Sequence, residues 1–249
     1  MSFVVLFPDL EGKSAAGTFG EMLARECPQA TLVPILNGSS AEKLQAIAGR
    51  LPTRFDPVVS DTMGVFAALR AGYDYVVEQY PNMPVVRIDT AEHPLRYIQA
   101  LLESATVRHG MAIGDLLFGP ETLRSNSIDE FTNLNLFPEL YRHFTGGQLA
   151  LSGAYGFQAF AAGACAKAYT GALQIVAEAK RETGGSMLWG FDAAMILGAL
   201  GAGVATQVQL IPAEELRDRP REKIAKQLVD TLAICCAANR LFNFVDKKH

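Results

Sequence analysis

The segment Gly64–Pro94, GVFAALRAGYDYVVEQYPNMPVVRIDTAEHP, holds the decisive pattern. Val65, Ala68, Leu69, Gly72, Tyr73, Val76 and Val77 recur at helical spacing, which predicts a helix over Met63–Tyr80. Pro84–Ile88 then reads as a buried strand of continuous apolar character, as parallel strands covered on both faces are. It ends abruptly at Asp89, with Glu92, His93 and Pro94 close behind, and a second helix is predicted over Pro94–Glu103. Ionisable residues at the exit of a buried strand cost desolvation energy unless they bind something.

The same alternation extends outward. Phe3–Phe7 is a predicted strand stopped by Pro8, and the loop DLEGKSAAG leads to a helix at Thr18–Arg25, where Thr18 and Glu21 have capping-box spacing. Thr31–Leu36 is a second strand ended by Asn37-Gly38, Ala41–Arg50 a helix, and Asp56–Ser60 a short strand. Strands alternating with helices predict βαβ units and a mostly parallel sheet. Later expectations are a strand at Met111–Leu117, a helix at Ser125–Phe144 and a glycine-rich turn at Ser152–Phe157. A small-residue helix at Ala193–Leu200, a strand at Val204–Ile211 and a closing helix at Arg221–Phe244 follow. In the closing helix Ile224, Leu228, Leu232, Cys235 and Phe242 are expected on one face. The 249 residues fit a single α/β domain, with one half at 1–118 and a more helical half at 119–249.

Composition narrows the classes. With 49% hydrophobic and 19% charged residues the chain can bury a sizeable core. A net charge of −4 without basic runs disfavours nucleic acid as a partner. The four cysteines, Cys27, Cys165, Cys235 and Cys236, lack zinc spacing and read as reduced, buried thiols of a cytoplasmic protein. No signal peptide is evident, and AAMILGALGAGVATQVQLIP is too interrupted for a transmembrane segment.

Loops after parallel strands gather at the sheet's carboxyl edge, where α/β proteins bind ligands. Here they carry Asp9 and Glu11, then Asn37, then Asp61, then Asp89 with Glu92. Any one of them has an ordinary use in a turn or helix cap, but the set suits a hard divalent cation carrying a diphosphate. The sequence EGKSAAG contains GKS without the upstream glycine of a phosphate loop. Trp189 reads as a core anchor, with stacking on a sugar as its other use, and His109 and His143 read as exposed.

The run from Gly64 to Ser104 resembles the core of inverting family 2 glycosyltransferases, in particular their polyprenyl-phosphate sugar transferase branch. Gly64, Ala68 and Gly72 match a G-x-x-x-A-x-x-x-G pattern; Asp89 matches the first acid of Asp-x-Asp, and His93-Pro94 the pair that trails it. Pro8 matches the strand-ending proline of the family's first motif, with Asp9 and Glu11 approximating the rest. SGAYGFQAF, which includes Tyr155, is similar to the family's acceptor-side S-G segment with two extra residues. LWGFDAAMILG is similar to its G-x-[DE] helix, with Asp192 as the acid. Where the second acid of Asp-x-Asp stands, this chain has Ala91, and Glu92 comes one place later.

The resemblance implies a GT-A-like nucleotide-diphospho-sugar transferase fold and sugar transfer by metal-assisted single displacement. It assigns Asp89 with Glu92 to a divalent metal, Mg or Mn, conditional on Glu92 replacing the absent acid. Pro8, Asp9, Glu11, Asp61 and Gly64 go to the donor, and Asp192 to the acceptor as acid or base. His93, Arg124 and Tyr155 are further site candidates. The implied partners are a nucleotide-diphosphate-sugar and a small-molecule or lipid-phosphate acceptor, the latter consistent with a peripheral membrane location, and the closing helix suggests a homo-oligomer. Two other readings stand: a catalytically silent sugar-nucleotide-binding protein and a sugar nucleotidyltransferase.

Overall fold

The structure, a computed structural model, describes residues 1–9, 15–37, 54–60, 64–88, 95–118, 131–152, 157–185, 187–213 and 221–245. The chain divides into two compact units. One is Met1–Ala112 with Phe157–Ala166 and Ala205–Gln207; the other is Ile113–Gly156, Lys167–Val204 and Val208–His249.

In the first unit β1 (Phe3–Asp9), α1 (Ala15–Glu26), β2 (Ala30–Asn37), β3 (Arg54–Phe55), β4 (Val58–Ser60), α2 (Val65–Gln79), β5 (Val85–Ile88) and α3 (Leu95–Val107) follow in order. β6 (Met111–Phe118) begins here, and β7 (Phe157–Phe160) belongs here. β1 pairs in parallel with β2 and β5, and β2 in parallel with β3 and β4, while β5 and β7 run antiparallel. The hydrogen-bonded order is β3-β2-β1-β5-β7-β6-β8, with β4 also on β2 and β8 spanning Thr206–Ala213.

Helix α2 explains why the sheet takes this form. Its buried residues Phe66, Ala68, Leu69, Gly72, Tyr73 and Val76 form one stripe, which packs on β1, β2 and β4. A Cβ on Gly72 would lie 2.4 Å from Ile35 Cδ1 and 2.9 Å from Leu6 Cδ1, so the glycine lets the helix pack this closely without displacing those side-chain ends. Val4, Val5, Leu6, Leu32, Val33, Val85 and Val86 are all buried, as strands covered on both faces require.

The second unit is mainly helical. A π-helical turn (Thr132–Leu136) runs into α4 (Phe137–Phe144), and α5 (Ala164–Thr183) enters from the first unit. α6 (Phe191–Gly201) and α7 (Arg221–Phe242) complete it. α6 is apolar on almost all sides, with Phe191 and Ala193–Ala199 buried, because it lies against α5 and α7. Among the described residues no helix is long and apolar enough to cross a membrane.

Several expectations shift. α1 starts at Ala15, so Thr18 and Glu21 lie inside it rather than at its cap; Ala15 and Ala16 extend the helix backward. α7 stops at Phe242 because Asn243 takes a left-handed φ of 51°. The buried residues of α7 are Ile224, Asp230, Thr231, Ile234, Cys235, Ala237 and Ala238, whereas Leu232 is 41% exposed. α5 was not foreseen, although Ala168, Ala172, Ile175, Val176 and Ala179 mark its buried stripe. The expected helix over 41–50 and the first part of Ser125–Phe144 lie outside the described residues.

Candidate functional site

Because β1, β2, β4 and β5 are mutually parallel, their carboxyl ends face one edge of the sheet. The register aligns Asp9 with Leu36, Asn37 with Ser60, and Leu6 with Arg87. Asp9 and Asn37 therefore close their strands on the edge where the sequence expected a ligand. Pro8 is buried in β1 beside Ile35, and Gly64 is the residue before α2, with φ 119° and nothing within 4 Å of a Cβ placed on it. That φ favours glycine, so the chain turns from β4 into α2 through a residue that leaves open space. Glu11, Asp61, Asp89, Glu92, His93, Arg124 and Tyr155 lie outside the described residues. Among the described residues no group of three or more His, Cys, Asp or Glu side chains could hold a metal ion.

One buried cluster beneath this edge escaped the sequence reading. Arg87, the third residue of β5, is 2% exposed, and its register partner on β7 is Gln158, 0% exposed. The Tyr73 hydroxyl donates to Gln158 Oε1 at 3.0 Å, and the Tyr73 ring meets Phe160 edge-on. A guanidinium stays charged at any ordinary pH, so its removal from water is costly unless acceptors surround it. The signal was present as one cation inside the apolar run Val85–Ile88.

Within the second unit Asp192 sits half-buried in the first turn of α6, where its Oδ1 accepts from the Ala193 N–H at 2.9 Å. A carboxylate there is favoured by the helix dipole. Trp189 is not the buried anchor expected; it is half-exposed, with Lys223 Nζ 5.8 Å from its ring centroid. Asp115 on β6 and Ser152, both 6% exposed, form a second pair the sequence did not single out. Ser152 donates its hydroxyl to Asp115 Oδ1 at 2.5 Å and its N–H to Oδ2 at 3.2 Å. His109 and His143 are exposed, as expected.

All four cysteines are free. Burial pushes the Cys165 and Cys235 thiols well above the ordinary 9.0, and neighbouring Cys236 raises Cys235 further. Neither is a nucleophile at neutral pH.

No protein-family model and no curated protein sequence matches this chain. Solved structures do match it in fold. Glucosyl-3-phosphoglycerate synthase from Mycobacterium tuberculosis, in complex with Mn2+, UDP-glucose and phosphoglyceric acid, is similar with a TM-score of 0.52 at 17% identity, over 94% of this chain and 80% of that one. The complex of that enzyme with phosphoglyceric acid alone gives 0.51 at 16% identity, over the same 94% and 80%. A further mycobacterial protein gives 0.50 at 13%, over 99% of this chain and 76% of the other. The fold is that of the GT-A-like nucleotide-diphospho-sugar transferases.

Proposed function

We propose that this chain is a glycosyltransferase that moves a sugar from a nucleotide-diphosphate-sugar to an acceptor by single displacement, with residues 1–249 acting as one transferase domain. The observation that carries the reading is the common edge of β1, β2, β4 and β5. Asp9 and Asn37 end two of these strands, and in the sequence Glu11, Asp61 and Asp89 with Glu92 follow β1, β4 and β5, in a fold shared with an enzyme solved with UDP-glucose. The structural relative bound to Mn2+, UDP-glucose and phosphoglyceric acid supports the same substrate classes here.

In this reading Pro8, Asp9, Glu11, Asp61 and Gly64 border the donor. The open glycine leaves room for a flat base, and the carboxylates accept from base or ribose donors. Asp89, with Glu92 in place of the absent second acid, would hold a divalent metal, Mg or Mn, and that metal would supply neutralisation of charge on the diphosphate leaving group. With a hydroxyl acceptor, Asp192 accepts its proton as that oxygen attacks the anomeric carbon and the nucleoside diphosphate leaves; a phosphate acceptor attacks unaided. His93, Arg124 and Tyr155 serve as further contacts, Arg124 by pairing with phosphate oxygens. The acceptor is a small molecule or a lipid phosphate, which a cytoplasmic or membrane-peripheral enzyme can reach.

The test is a transfer assay with UDP-glucose or a GDP-hexose, Mn2+ and phosphoglyceric acid or a polyprenyl phosphate. Sugar transfer or slow donor hydrolysis is expected, and with phosphoglyceric acid, whose hydroxyl must lose a proton, Asp192→Asn is expected to lower transfer about 100-fold or more without weakening donor binding. Donor binding without turnover would favour a silent binding protein. Pyrophosphate release from a nucleoside triphosphate with a sugar phosphate would favour a nucleotidyltransferase.

A further inference from the structure

A carboxylate in the middle of α7 holds the segment that leads into the candidate acceptor acid. Asp230 is 4% exposed. Its Oδ2 accepts from the Leu188 N–H at 3.0 Å and the Trp189 N–H at 3.1 Å, while Oδ1 accepts from Lys226 Nζ at 2.9 Å, one turn earlier on the same helix. A buried carboxylate is costly unless its lone pairs are satisfied, and three donors satisfy this one. Two successive amides on one oxygen curl the backbone around it, as in an anion-binding nest.

The restraint acts at one end of the segment. Gly184, with φ 61°, has nothing within 4 Å of a Cβ, and Gly184 and Gly185 are exposed, so packing does not fix the exit from α5. At the other end Gly190, with φ 86°, starts α6 with its Cβ position 3.3 Å from Ile234 Cγ1 and 3.5 Å from the Asp230 carbonyl oxygen. The backbone is thus pressed onto α7 directly after the two bonded amides. Met187 is buried, but Leu188 is 45% exposed, and Trp189 on the segment and Asp192 two residues after it are half-buried. A fixed backbone with accessible side chains is the arrangement a binding segment needs.

We propose that Asp230 is a positioning residue. It holds Met187–Gly190 so that the Trp189 ring and the Asp192 carboxylate are presented together to the acceptor. This rests on the transferase reading of Asp192.

The experiment compares the full chain with Asp230→Ala and Asp230→Asn by amide hydrogen exchange, by quenching of Trp189, the single tryptophan, and by sugar-transfer kinetics. In Asp230→Ala the Leu188 and Trp189 amides should exchange about tenfold faster, with α6 and α7 unchanged. Trp189 should become more open to acrylamide. The transfer kcat should fall about 10- to 100-fold with KM for the donor unmoved, and Asp230→Asn, which keeps an acceptor oxygen, should recover part of it. Exchange that is unchanged, or that rises through α6 and α7 alike, overturns the proposal. So does a donor KM that shifts in step with kcat. If the wild-type chain transfers no sugar, the role toward the acceptor falls with the transferase reading, while local exchange still decides whether the clasp exists.

Discussion

Gly72 in α2 and Gly198 in α6 both sit where a helix meets a neighbour too closely for a side chain, but they meet different things. A Cβ on Gly72 would press on the tips of Ile35 and Leu6, whereas one on Gly198 would lie 2.4 Å from the Ala168 carbonyl oxygen and 2.5 Å from the Ala172 nitrogen. The first unit is a sheet covered by side chains, and the second contains helices that touch backbone to backbone. Side-chain ends can rotate away, but a helix backbone moves only as a whole.

The difference predicts a hierarchy. Gly198→Ala should cost about 3 kcal/mol or more, since overpacking against backbone cannot be relieved locally. Urea unfolding monitored by circular dichroism measures it, and a loss below about 1 kcal/mol would mean that α5 and α6 separate easily. Gly72→Ala should cost about 1–2 kcal/mol, because the Ile35 and Leu6 side chains can shift. If the two losses proved equal, the contrast between the regions would fail.

A smaller effect distinguishes the regions by pH. Cys165 belongs to the first unit and Cys235 to the second, and burial raises both thiols above 9.0. Below pH 9 the folded and unfolded chains both keep these protons. Above it the unfolded chain releases them while the folded chain does not, so stability falls as pH rises, by about 1.4 kcal/mol per pH unit for each thiol. Cys165→Ala and Cys235→Ala should each flatten that slope between pH 9 and about pH 10.5, measured as unfolding free energy against pH. An unchanged slope in either variant would show that thiol is not held protonated.

The same contrast explains what the sequence disclosed. β1, β2 and β5 are short apolar runs that announce themselves residue by residue, and parallel pairing then fixes where Asp9 and Asn37 end. β7 has only four residues, and α5 buries mostly alanines and a glycine, so neither stands out against its surroundings. Arg87 and Asp230 were illegible for another reason. The meaning of each depends on residues remote in sequence: Gln158 beside Arg87 is also tied to Tyr73, 85 positions away from it, and Asp230, which the local pattern pairs only with Lys226, is tied to Leu188 across 42 positions. Local pattern gives the strand ends, and only the folded chain gives the cluster beneath them.

The central claim is that the carboxyl edge of β1, β2, β4 and β5 binds a sugar nucleotide through Asp89. Calorimetric titration of the chain with UDP-glucose and a GDP-hexose, each with and without Mn2+, tests it directly. Metal-dependent binding to one donor in the micromolar range, about −8 kcal/mol, is the predicted result, and Asp89→Ala should abolish it while the protein stays folded. Absence of binding to either donor, or binding that Asp89→Ala leaves intact, would contradict it.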